Sequence, residues 1–553
     1  MASYSEADVL VIGAGAGGAA VSKRLSDAGI TVICLEQGDW VHPLQHPHFH
    51  SEWEIEKRRG WSHDPNVRQL PEDYPTTGNT PPLMYNAVGG SAIIYAGAWP
   101  RFKPVDFRRG TEHGVEGTID WPISYEDLEP FYAINDAEVG VARRPGDPGN
   151  PARLPGWGPA IPPGKVGNRL ARAFDTLGWH WWPADHSILT RPKDNRLACN
   201  ACGPCLAGCP RHSIATPDVT YWPKALSNGV DLRTNARVER INVDKGRATG
   251  ATYIDRRTGQ RSEVRAKIVV LCANGVGTPR LLLMSAQAGH PDGLANSSGL
   301  VGTHLMFHAW AFEDFWFDEP IEGYKAQEAA VLYSQEFYNS DPDRGFVNGF
   351  SIQVGRSSGA AHSALGANSG NLAPWGAGHR EFFNTHFGSH LLVYIQGEDL
   401  PIATNRVTLD STVTDSSGLP AAHVNYELHE NDRRLLAYGR ERAREAAAVA
   451  GGLIDTSSSG SGGYDFPQPG WHLMGTARMG NTPEDSVTNK FNQTWDVPNL
   501  FIADGSSLPT SAAVNPTSTL QAVAVRCAEY IKDNHAEILG QKTTPRNHEL
   551  PAG

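Results

Sequence analysis

The sequence lacks any stretch of about 18 uncharged apolar residues, the length that a membrane-spanning helix requires, so we expect no membrane span. It also lacks a basic leader followed by a cleavable apolar stretch, since its first apolar run begins at Ala7 and continues into a glycine-rich turn. Only seven of its 553 residues are cysteines, and an odd number does not suit a framework of disulfide bonds. Together these features predict a cytoplasmic protein.

The sequence also has fewer positively charged than negatively charged residues. The chain has 48 Lys and Arg residues against 60 Asp and Glu residues, which gives a formal net charge of −12. Nucleic acids and anionic membrane surfaces attract proteins with an excess of positive charge, so neither is expected as a partner. The balance does not restrict small uncharged substrates, and the length is sufficient for two interleaved domains with a large core.

The start of the chain carries a nucleotide-binding pattern. Residues 7–38 are predicted to form a strand, a glycine-rich turn, a helix and a second strand, and Gly13, Gly15 and Gly18 spell G-x-G-x-x-G within the turn. The first glycine permits the turn, the second lets the backbone approach a pyrophosphate, and the third lets helix and strand pack closely. Glu36 ends the second strand, where a carboxylate accepts hydrogen bonds from ribose hydroxyls. The pattern predicts a dinucleotide site without distinguishing NAD from FAD.

The rest of the chain divides by its hydrophobic pattern. Residues 40–85 show too little periodicity for regular elements and suggest a functional loop or lid. Residues 121–140 are predicted to form a helix with Ser124 as its N-cap. Residues 231–274 have strand patterns, residues 305–430 predict an antiparallel sheet, and an amphipathic helix follows that sheet. This mixture predicts an α/β protein with a second, antiparallel sheet.

Five segments, in a fixed order, carry a resemblance to a known family: GAGAGG near the start, VGGSAIIYAGAWPRF at 88–102, NGVGTPRLLLMS at 274–285, WHLMGTARMG at 471–480, and NLFIADGSSLPTSAAVNPTSTLQA at 499–522. On these segments the chain resembles the glucose–methanol–choline (GMC) oxidoreductases along nearly its whole length. The resemblance implies an FAD-dependent alcohol oxidoreductase. It also implies a Rossmann-type FAD-binding domain interleaved with an antiparallel-sheet (α+β) substrate domain.

The resemblance also implies a division of the chain into segments. We expect a mainly FAD-binding segment, a mainly substrate-binding segment, a return to the FAD-binding domain that carries the catalytic residues, and a loose tail. These are residues 1–304 (with the lid at 40–85 and a Cys-rich segment at 195–215), 305–465, 466–540 and 541–553. The Ser/Gly run at 457–463 is predicted to be a flexible loop.

A set of cofactor-binding residues follows from the same resemblance, position by position. From adenine to flavin these are Val238 by its backbone, then Gly13, Gly15, Gly18 and Glu36 at the ADP part, Asp504 and Gly505 at the ribityl and phosphate groups, Gly89, Gly90 and Ser91 at the flavin and pyrophosphate, and Asn515 and Pro516 beside the isoalloxazine ring. Some members of the family attach FAD covalently to a histidine four residues after the second glycine of the VGG segment. This chain has Ile94 there, so we expect noncovalent FAD.

Two residues are the candidate catalytic pair. Removing a hydride from an alcohol leaves a developing alkoxide unless a base takes the hydroxyl proton. His472 matches the position of the family's base, and Asn515 matches the second position, which is His or Asn in relatives. The alternatives are a structural histidine and a turn-forming Asn before Pro516. For His308 we expect support around the pocket and assign no role.

A cysteine-rich segment carries a second pattern. Cys199, Cys202, Cys205 and Cys209 have a spacing that bacterial ferredoxins use to hold iron–sulfur clusters. The segment loosely resembles the cysteine patch in large subunits of FAD-dependent sugar dehydrogenases, which pass electrons to a cytochrome partner, although the spacing differs. A zinc ion, or thiols and disulfides without metal, are the alternatives. A cluster would favour a dehydrogenase with a redox partner, and its absence an oxidase that uses oxygen.

The region from 305 to 400 is rich in rings that suit sugars. Tryptophan faces and hydrogen-bonding groups are expected in the pocket at His308, Trp310, Trp316, Trp375, His379, His386 and His390. The alternative is that most of these rings belong to the core or to the surface. We therefore expect a polar, carbohydrate-like substrate such as a sugar, a glycoside or an amino sugar. The alternatives are a sterol or long-chain alcohol oxidase, a flavin-containing lyase, an electron-relay subunit and, more remotely, an NAD enzyme.

Overall fold

A computed structural model describes residues 5–47, 61–68, 74–203, 205–325, 327–357, 359–364, 375–454 and 468–539. The helices are α1 Ala16–Asp27, α2 Arg109–His113, α3 Tyr125–Val139, α4 Gly164–Leu177, α5 Tyr221–Ser227, α6 Asn274–Met284, α7 Ala360–Ala364, α8 Ala377–His386, α9 Glu430–Val449 and α10 Thr517–Ile538. The loop expected at 457–463 and the tail expected at 541–553 lie outside the described residues.

The strands complete the inventory of regular elements. They are β1 Ser5–Ile12, β2 Val32–Leu35, β3 Thr76–Gly78, β4 Trp182–Pro183, β5 Asp231–Arg233, β6 Ala236–Asp244, β7 Arg247–Asp255, β8 Arg261–Leu271, β9 Ala309–Trp316, β10 Leu332–Ser334, β11 Phe350–Val354, β12 His390–Gly397, β13 Arg406–Thr414, β14 Pro420–Asn425, β15 Leu453–Ile454 and β16 Leu500–Ile502. Among the described residues, no helix is both long and apolar enough to cross a membrane.

The first sheet contains the strands predicted at the start of the chain. Its order is β5-β2-β1-β8-β7-β6, and β16 pairs with β8. β5 pairs with β2, β2 with β1, β1 with β8, and β8 with β16, all in parallel. β7 pairs antiparallel with both β8 and β6. The last four residues of β1 and of β8 are buried, as expected for strands covered on both faces. The carboxyl ends of β1, β2, β8 and β16 therefore meet at one edge of this sheet.

Helices α1 and α10 pack together over one face of this sheet. The side-chain amide Nε2 of Gln521 donates to the backbone oxygen of Ala16 at 3.0 Å, and Arg24 Nε donates to Glu529 Oε1 at 2.7 Å. These bonds join residues that are 505 positions apart in the chain. The last helix is thus fixed to the first helix of the protein.

The second sheet is antiparallel, as its alternating sequence predicts. Its order is β15-β9-β12-β11-β10-β4. Phe315, Ile352 and Ile395 point into a core with residues of α4 and α9. The opposite face carries aromatic and amide side chains, with Tyr394 paired across from Phe312. One face of this sheet is therefore available to line a site.

Smaller features complete the fold. A third sheet has the order β13-β14-β3. The predicted cap of α3 is confirmed: the Asp127 N–H donates to Ser124 Oγ at 3.2 Å, and the Ser124 N–H donates to Asp127 Oδ2 at 2.8 Å. In the expected lid the described residues include the short strand β3. Strands of the first sheet come from the segments 1–304 and 466–540, while the boundaries of the domains stay a prediction.

Candidate active site

A cavity of about 370 Å³ lies where the carboxyl ends of the first sheet meet the open face of the second. From the first sheet it is lined by residues that follow the strand ends, including Gly13, Gly15, Glu36, Asn274, Asp504 and Gly505. From the other side it is lined by Trp310, Gln353, Tyr394, Trp471, His472 and Asn515. Ligands of open α/β sheets bind at such strand ends, so the position alone marks a candidate site.

The glycine-rich turn leaves no room for a side chain at Gly13 or Gly18. Gly13 has a φ of +100°, and a Cβ added there would lie 2.4 Å from the backbone oxygen of Cys272. A Cβ on Gly90 would lie 2.8 Å from the Cα of Gly15, so two backbone segments nearly touch. Gly18 does not line the cavity; a Cβ there would lie 1.9 Å from the Gly13 oxygen, which assigns it to helix packing.

Glu36 lines the cavity on the side of the first sheet. Its Oε2 accepts a hydrogen bond from the Ala14 N–H and its Oε1 accepts one from the Gly38 N–H, both at 2.8 Å. Burial raises the pKa of the carboxyl, and the two backbone donors act against that rise. Each carboxylate oxygen keeps a free lone pair, so Glu36 can still accept from ribose hydroxyls. Val238, at the start of β6, lines the cavity beside it.

These features fit a dinucleotide. The backbone cradle at Gly13, Gly15 and Gly90 admits close approach of a pyrophosphate, and the first turn of the twelve-residue helix α1 lines the cavity through Ala16 and Gly17. A helix start presents free N–H groups and a partial positive charge, which suits phosphate. Gly89 lies behind the cavity lining and, at a φ of +98°, donates its N–H to the Ala14 oxygen at 2.9 Å.

The predicted pair His472 and Asn515 is brought together at the other end of the cavity. Asn515 Nδ2 lies 3.4 Å from His472 Nε2, although the residues are 43 positions apart. Asn515 directly precedes Pro516 and helix α10, and Pro516 and Thr517 also line the cavity. The amide is therefore held at the start of a long helix fixed to the first sheet.

Two further residues contact this pair. Tyr333, on β10, donates its hydroxyl to Asn515 Oδ1 at 3.1 Å. His308, directly before β9, has its Nδ1 3.0 Å from the Nδ1 of His472. The ring of His472 faces the cavity and is otherwise enclosed by protein, and this burial lowers its pKa to about 3. The imidazole is therefore neutral at physiological pH and has a lone pair to offer.

Aromatic rings form the walls around the pair. The rings of Trp310 and Trp471 meet edge to face with centroids 5.4 Å apart, and Phe312 packs edge-on against Tyr394 at 5.6 Å. Trp310 Nε1 donates to the Phe307 backbone oxygen at 3.2 Å. Amide and carboxylate groups of Gln353 and Glu328 add polar atoms to the lining. This end of the cavity suits a small molecule with both apolar and hydroxyl groups.

The expectation of a pocket furnished by seven His and Trp residues is largely wrong. Trp310 lines the cavity and His308 lies directly behind it, whereas Trp316, His386 and His390 form a separate cluster at the far end of β9. Trp375 is 98% exposed, and His379 lies on helix α8 away from the lining. The composition of the segment was misleading because one end of the strands, and not the whole face, meets the cavity.

Comparison with known proteins identifies the family. The GMC oxidoreductase models match residues 163–310 and 401–524. The chain is 59% identical over 552 residues to a 2-methyl-1,2-propanediol dehydrogenase of Mycolicibacterium austroafricanum, covering 100% of this chain and 99% of the relative. The chain belongs to the GMC oxidoreductase family.

Other members and solved structures agree. The chain is 30% identical over 543 residues to the 6'''-hydroxyparomomycin C oxidase of Streptomyces lividus, covering 96% of this chain and 92% of that protein. The crystal structure of pyridoxine 4-oxidase from Mesorbium loti superposes with a TM-score of 0.66 at 18% identity, over 95% of this chain and 99% of that one. A formate oxidase of Aspergillus oryzae RIB40 gives 0.63 at 16%, over 97% and 99%. The predicted fold class and the predicted enzyme class, an alcohol oxidoreductase with FAD, are therefore confirmed.

Within this GMC oxidoreductase, the residues expected at the FAD differ in how free they are. Gly505 and Ser91 line the cavity, and Ser91 Oγ accepts from the Tyr85 N–H at 3.0 Å. Asp504 also lines it, but its carboxylate already accepts from the backbone and hydroxyl of Ser506, from the Asn274 N–H and from the Thr278 hydroxyl. Asp504 therefore joins the start of α6 to the C-terminal segment, and its expected role at the ribityl chain stays a prediction.

The cysteine-rich segment lies beside this cavity. Cys199, Cys202, Cys205 and Cys209 line a separate space of about 20 Å³, and all four are free thiols. Burial raises the pKa of Cys199, Cys202 and Cys205, which disfavours thiolates in the protein alone. Across the described residues, no group of three or more His, Cys, Asp or Glu side chains is arranged to hold a metal ion. The structure thus offers no support for the metal site that the spacing admits.

Several residues of the site escaped the sequence analysis. Trp471 could have been found, because it directly precedes His472 in the chain. Tyr333, Gln353 and Tyr394 come from three different strands of the second sheet, with no motif around them. Only the fold brings these side chains to His472 and Asn515.

Proposed function

We propose that this protein oxidises a hydroxyl group of a small, branched aliphatic diol, with His472 as the base and Asn515 as its partner at the hydroxyl oxygen. The main support for this reaction is the 3.4 Å contact between His472 Nε2 and Asn515 Nδ2. This contact lies in a cavity that is also lined by the glycine-rich turn. The substrate class is supported by the 59% identity to a 2-methyl-1,2-propanediol dehydrogenase over the whole chain.

The chemistry requires a proton acceptor and a fixed hydroxyl. FAD, when bound, supplies the acceptor for the hydride. The lone pair on His472 Nε2 takes the hydroxyl proton as the O–H bond breaks, and the Asn515 N–H donates to the same oxygen. Because burial keeps His472 neutral at physiological pH, the base needs no prior deprotonation.

The walls of the cavity support a small substrate. Trp310, Trp471 and Tyr394 present ring surfaces that the methyl groups of a branched diol can contact. Gln353 and Glu328 offer polar atoms to a second hydroxyl on the neighbouring carbon. The rings also exclude water from the reacting carbon, which strengthens the hydrogen bonds around it.

A sugar or amino sugar is the second candidate. The 30% identity to 6'''-hydroxyparomomycin C oxidase, and 28% over 557 residues to the large subunit of fructose dehydrogenase from Gluconobacter japonicus, favour it. Polar lining residues would serve a ring with several hydroxyls equally well. The two candidates differ in size, and size can be tested directly.

Anaerobic reduction of the purified holoenzyme separates the candidates. The flavin absorbance is followed after mixing with 2-methyl-1,2-propanediol, fructose, paromamine or a long-chain primary alcohol. We expect the diol to bleach the flavin at the lowest concentration. Faster bleaching by a sugar or by the long-chain alcohol would replace the proposed substrate, and a flavin that stays oxidised with every alcohol would favour a lyase.

The base is tested in the same assay. His472→Ala is expected to lower the rate of flavin reduction by about 10²- to 10⁴-fold, the usual contribution of a general base. His423→Ala is the matched control, since His423 lies on β14 with its side chain 45% exposed, and its rate should equal that of the wild type. Unchanged reduction in His472→Ala would remove His472 from the mechanism.

Three further properties belong to this proposal. FAD is bound noncovalently, because Ile94 occupies the position where some relatives carry the linking histidine, so acid precipitation should release all the flavin. Oxygen or a redox partner takes the electrons, and oxygen uptake during turnover distinguishes the two. Metal analysis of the purified protein tests the cysteine-rich segment for iron or zinc.

A further inference from the structure

Four side chains form a hydrogen-bonded row through the site. Tyr333 Oη lies 3.1 Å from Asn515 Oδ1, Asn515 Nδ2 lies 3.4 Å from His472 Nε2, and His472 Nδ1 lies 3.0 Å from His308 Nδ1. The three contacts join residues that are 182, 43 and 164 positions apart in the sequence, and His308 is completely buried. The row therefore runs from the second sheet through the proposed catalytic pair and ends on a buried imidazole.

The donors and acceptors in this row fit together in one direction. An amide oxygen only accepts, so Tyr333 donates to Asn515, and the Asn515 N–H then points at His472 Nε2. That nitrogen must carry a lone pair, which leaves the ring proton of neutral His472 on Nδ1. The facing Nδ1 of His308 must then accept. Its own ring proton is on Nε2.

We propose that His308 is a positioning residue that holds His472 in the tautomer with a free Nε2, the nitrogen that takes the proton of the substrate hydroxyl. This inference rests on the proposed function, which makes His472 the base. As the substrate O–H bond breaks, the new N–H bond forms on His472 Nε2. The proton on Nδ1 stays between the two rings, where the lone pair of His308 stabilises the imidazolium.

The surroundings of His308 support this role. Its ring meets that of His472 edge to face at a centroid distance of 4.8 Å, a geometry that allows an N–H···N bond. Burial, and then the neighbouring His472, lower the pKa of His308 well below its usual value, so it stays neutral and able to accept. Its Nε2 makes no direct hydrogen bond within the described residues, and the backbone groups of Ser511, Val514 and Phe307 act against the lowering of its pKa.

The backbone also fixes the pair. His308 has a φ of +69° and His472 a φ of +59°, a left-handed conformation that residues other than glycine rarely adopt. His308 directly precedes β9, and His472 lies between the cavity-lining residues Trp471 and Leu473, so both rings are placed by strained backbone. Strain of this kind is concentrated at functional sites and persists because the surrounding packing holds it.

Substitution of His308 by Asn and by Leu in the holoenzyme tests the inference. The Oδ1 of Asn can occupy the position of the histidine Nδ1, so His308→Asn keeps an acceptor, whereas His308→Leu removes it. With 2-methyl-1,2-propanediol as the reductant, we expect flavin reduction in His308→Asn to stay within about threefold of the wild type. In His308→Leu it should fall by about 10- to 100-fold at unchanged FAD content, part of the range for general base catalysis.

If His308 had only a structural role, the Asn variant would not keep the rate of flavin reduction that the Leu variant loses. Equal rates in the Asn and Leu variants, whether both fast or both slow, would overturn the inference. If His308→Leu does not retain FAD, His308→Gln replaces it, because its longer amide reaches past the Nδ1 position and should be as slow as Leu. His472→Ala separates the two claims: a slow His472→Ala beside a fast His308→Leu contradicts only the role of His308, whereas a fast His472→Ala contradicts the proposed function.

Discussion

The two sides of the cavity are built in different ways. The nucleotide side consists largely of backbone: glycines at Gly13, Gly15 and Gly90, the start of helix α1, and a carboxylate at Glu36. The substrate side consists of side chains from the second sheet and from the segment around His472. A Cβ at Gly13 or Gly90 would clash with backbone, whereas the residues in a wall of side chains can be exchanged one by one.

This difference matches what each side must recognise. The dinucleotide is the same molecule in every enzyme that uses it, so a fixed backbone cradle serves all of them. Substrates differ, and the walls formed by Trp310, Tyr394 and Trp471 set the size and polarity of the space left for them. The comparison predicts that substitutions on the nucleotide side abolish cofactor binding and that substitutions on the substrate side change specificity.

The strongest test is on the nucleotide side. Gly13→Ala should yield protein with little or no bound flavin and no activity, because its Cβ would lie 2.4 Å from the Cys272 backbone oxygen. Gly29→Ala is the matched control: Gly29 also has a positive φ, +74°, but has nothing within 4 Å of the added Cβ. Flavin per chain is measured after denaturation. Full flavin content in Gly13→Ala would contradict the backbone cradle.

A smaller effect is expected on the substrate side. Trp471→Ala should keep its flavin but raise KM for 2-methyl-1,2-propanediol by about tenfold, since a ring that packs against the small substrate is lost. Larger alcohols should be less affected. The control is Trp375→Ala, at a ring 98% exposed, which should leave both constants unchanged. Loss of flavin in Trp471→Ala would show that the two sides are not separable.

The smallest effect concerns stability and pH. Burial lowers the pKa of His186 to about 4, and its Nε2 lies 2.9 Å from the oxygen of Ala330, a residue of the substrate wall. The unfolded chain binds this proton below its usual pKa of about 6.5 and the folded chain does not, so stability falls as the pH falls. Denaturant unfolding should show that the wild type loses about 2 kcal/mol more than His186→Gln between pH 7 and pH 5.

His423→Gln, at a histidine whose side chain is 45% exposed, is the control and should follow the wild type in the same experiment. Parallel curves for the wild type and His186→Gln would mean that folding does not lower the pKa of His186. His186 contacts Ala330 of the substrate wall, so this sensitivity to acid belongs to the substrate side.

The same division explains what the sequence could predict. The G-x-G-x-x-G turn, Glu36 and the cap at Ser124 depend on local backbone conformation, which short stretches of sequence encode directly. The pair His472 and Asn515 was predicted through resemblance, and the structure brings the two together. Their catalytic roles stay predictions.

The substrate side was harder to predict because it depends on contacts between distant strands. Tyr333 and Asn515 are 182 residues apart, and neither lies in a pattern that announces the other. Trp310 and Trp316 lie on the same strand, yet only the first is at its cavity end. Counting the rings in a segment therefore overestimates how many of them line the pocket, because the register and direction of the strands decide which rings reach it.

Helix α10 has a consequence for how such an enzyme diversifies. It begins at Thr517, two residues after Asn515. Hydrogen bonds from Gln521 to Ala16 and from Arg24 to Glu529 fix it to α1, the helix that starts at the glycine turn. The proposed catalytic amide and the cofactor cradle are therefore parts of one rigid frame. Wall residues on the second sheet can therefore be exchanged while the amide of Asn515 stays fixed relative to the glycine turn.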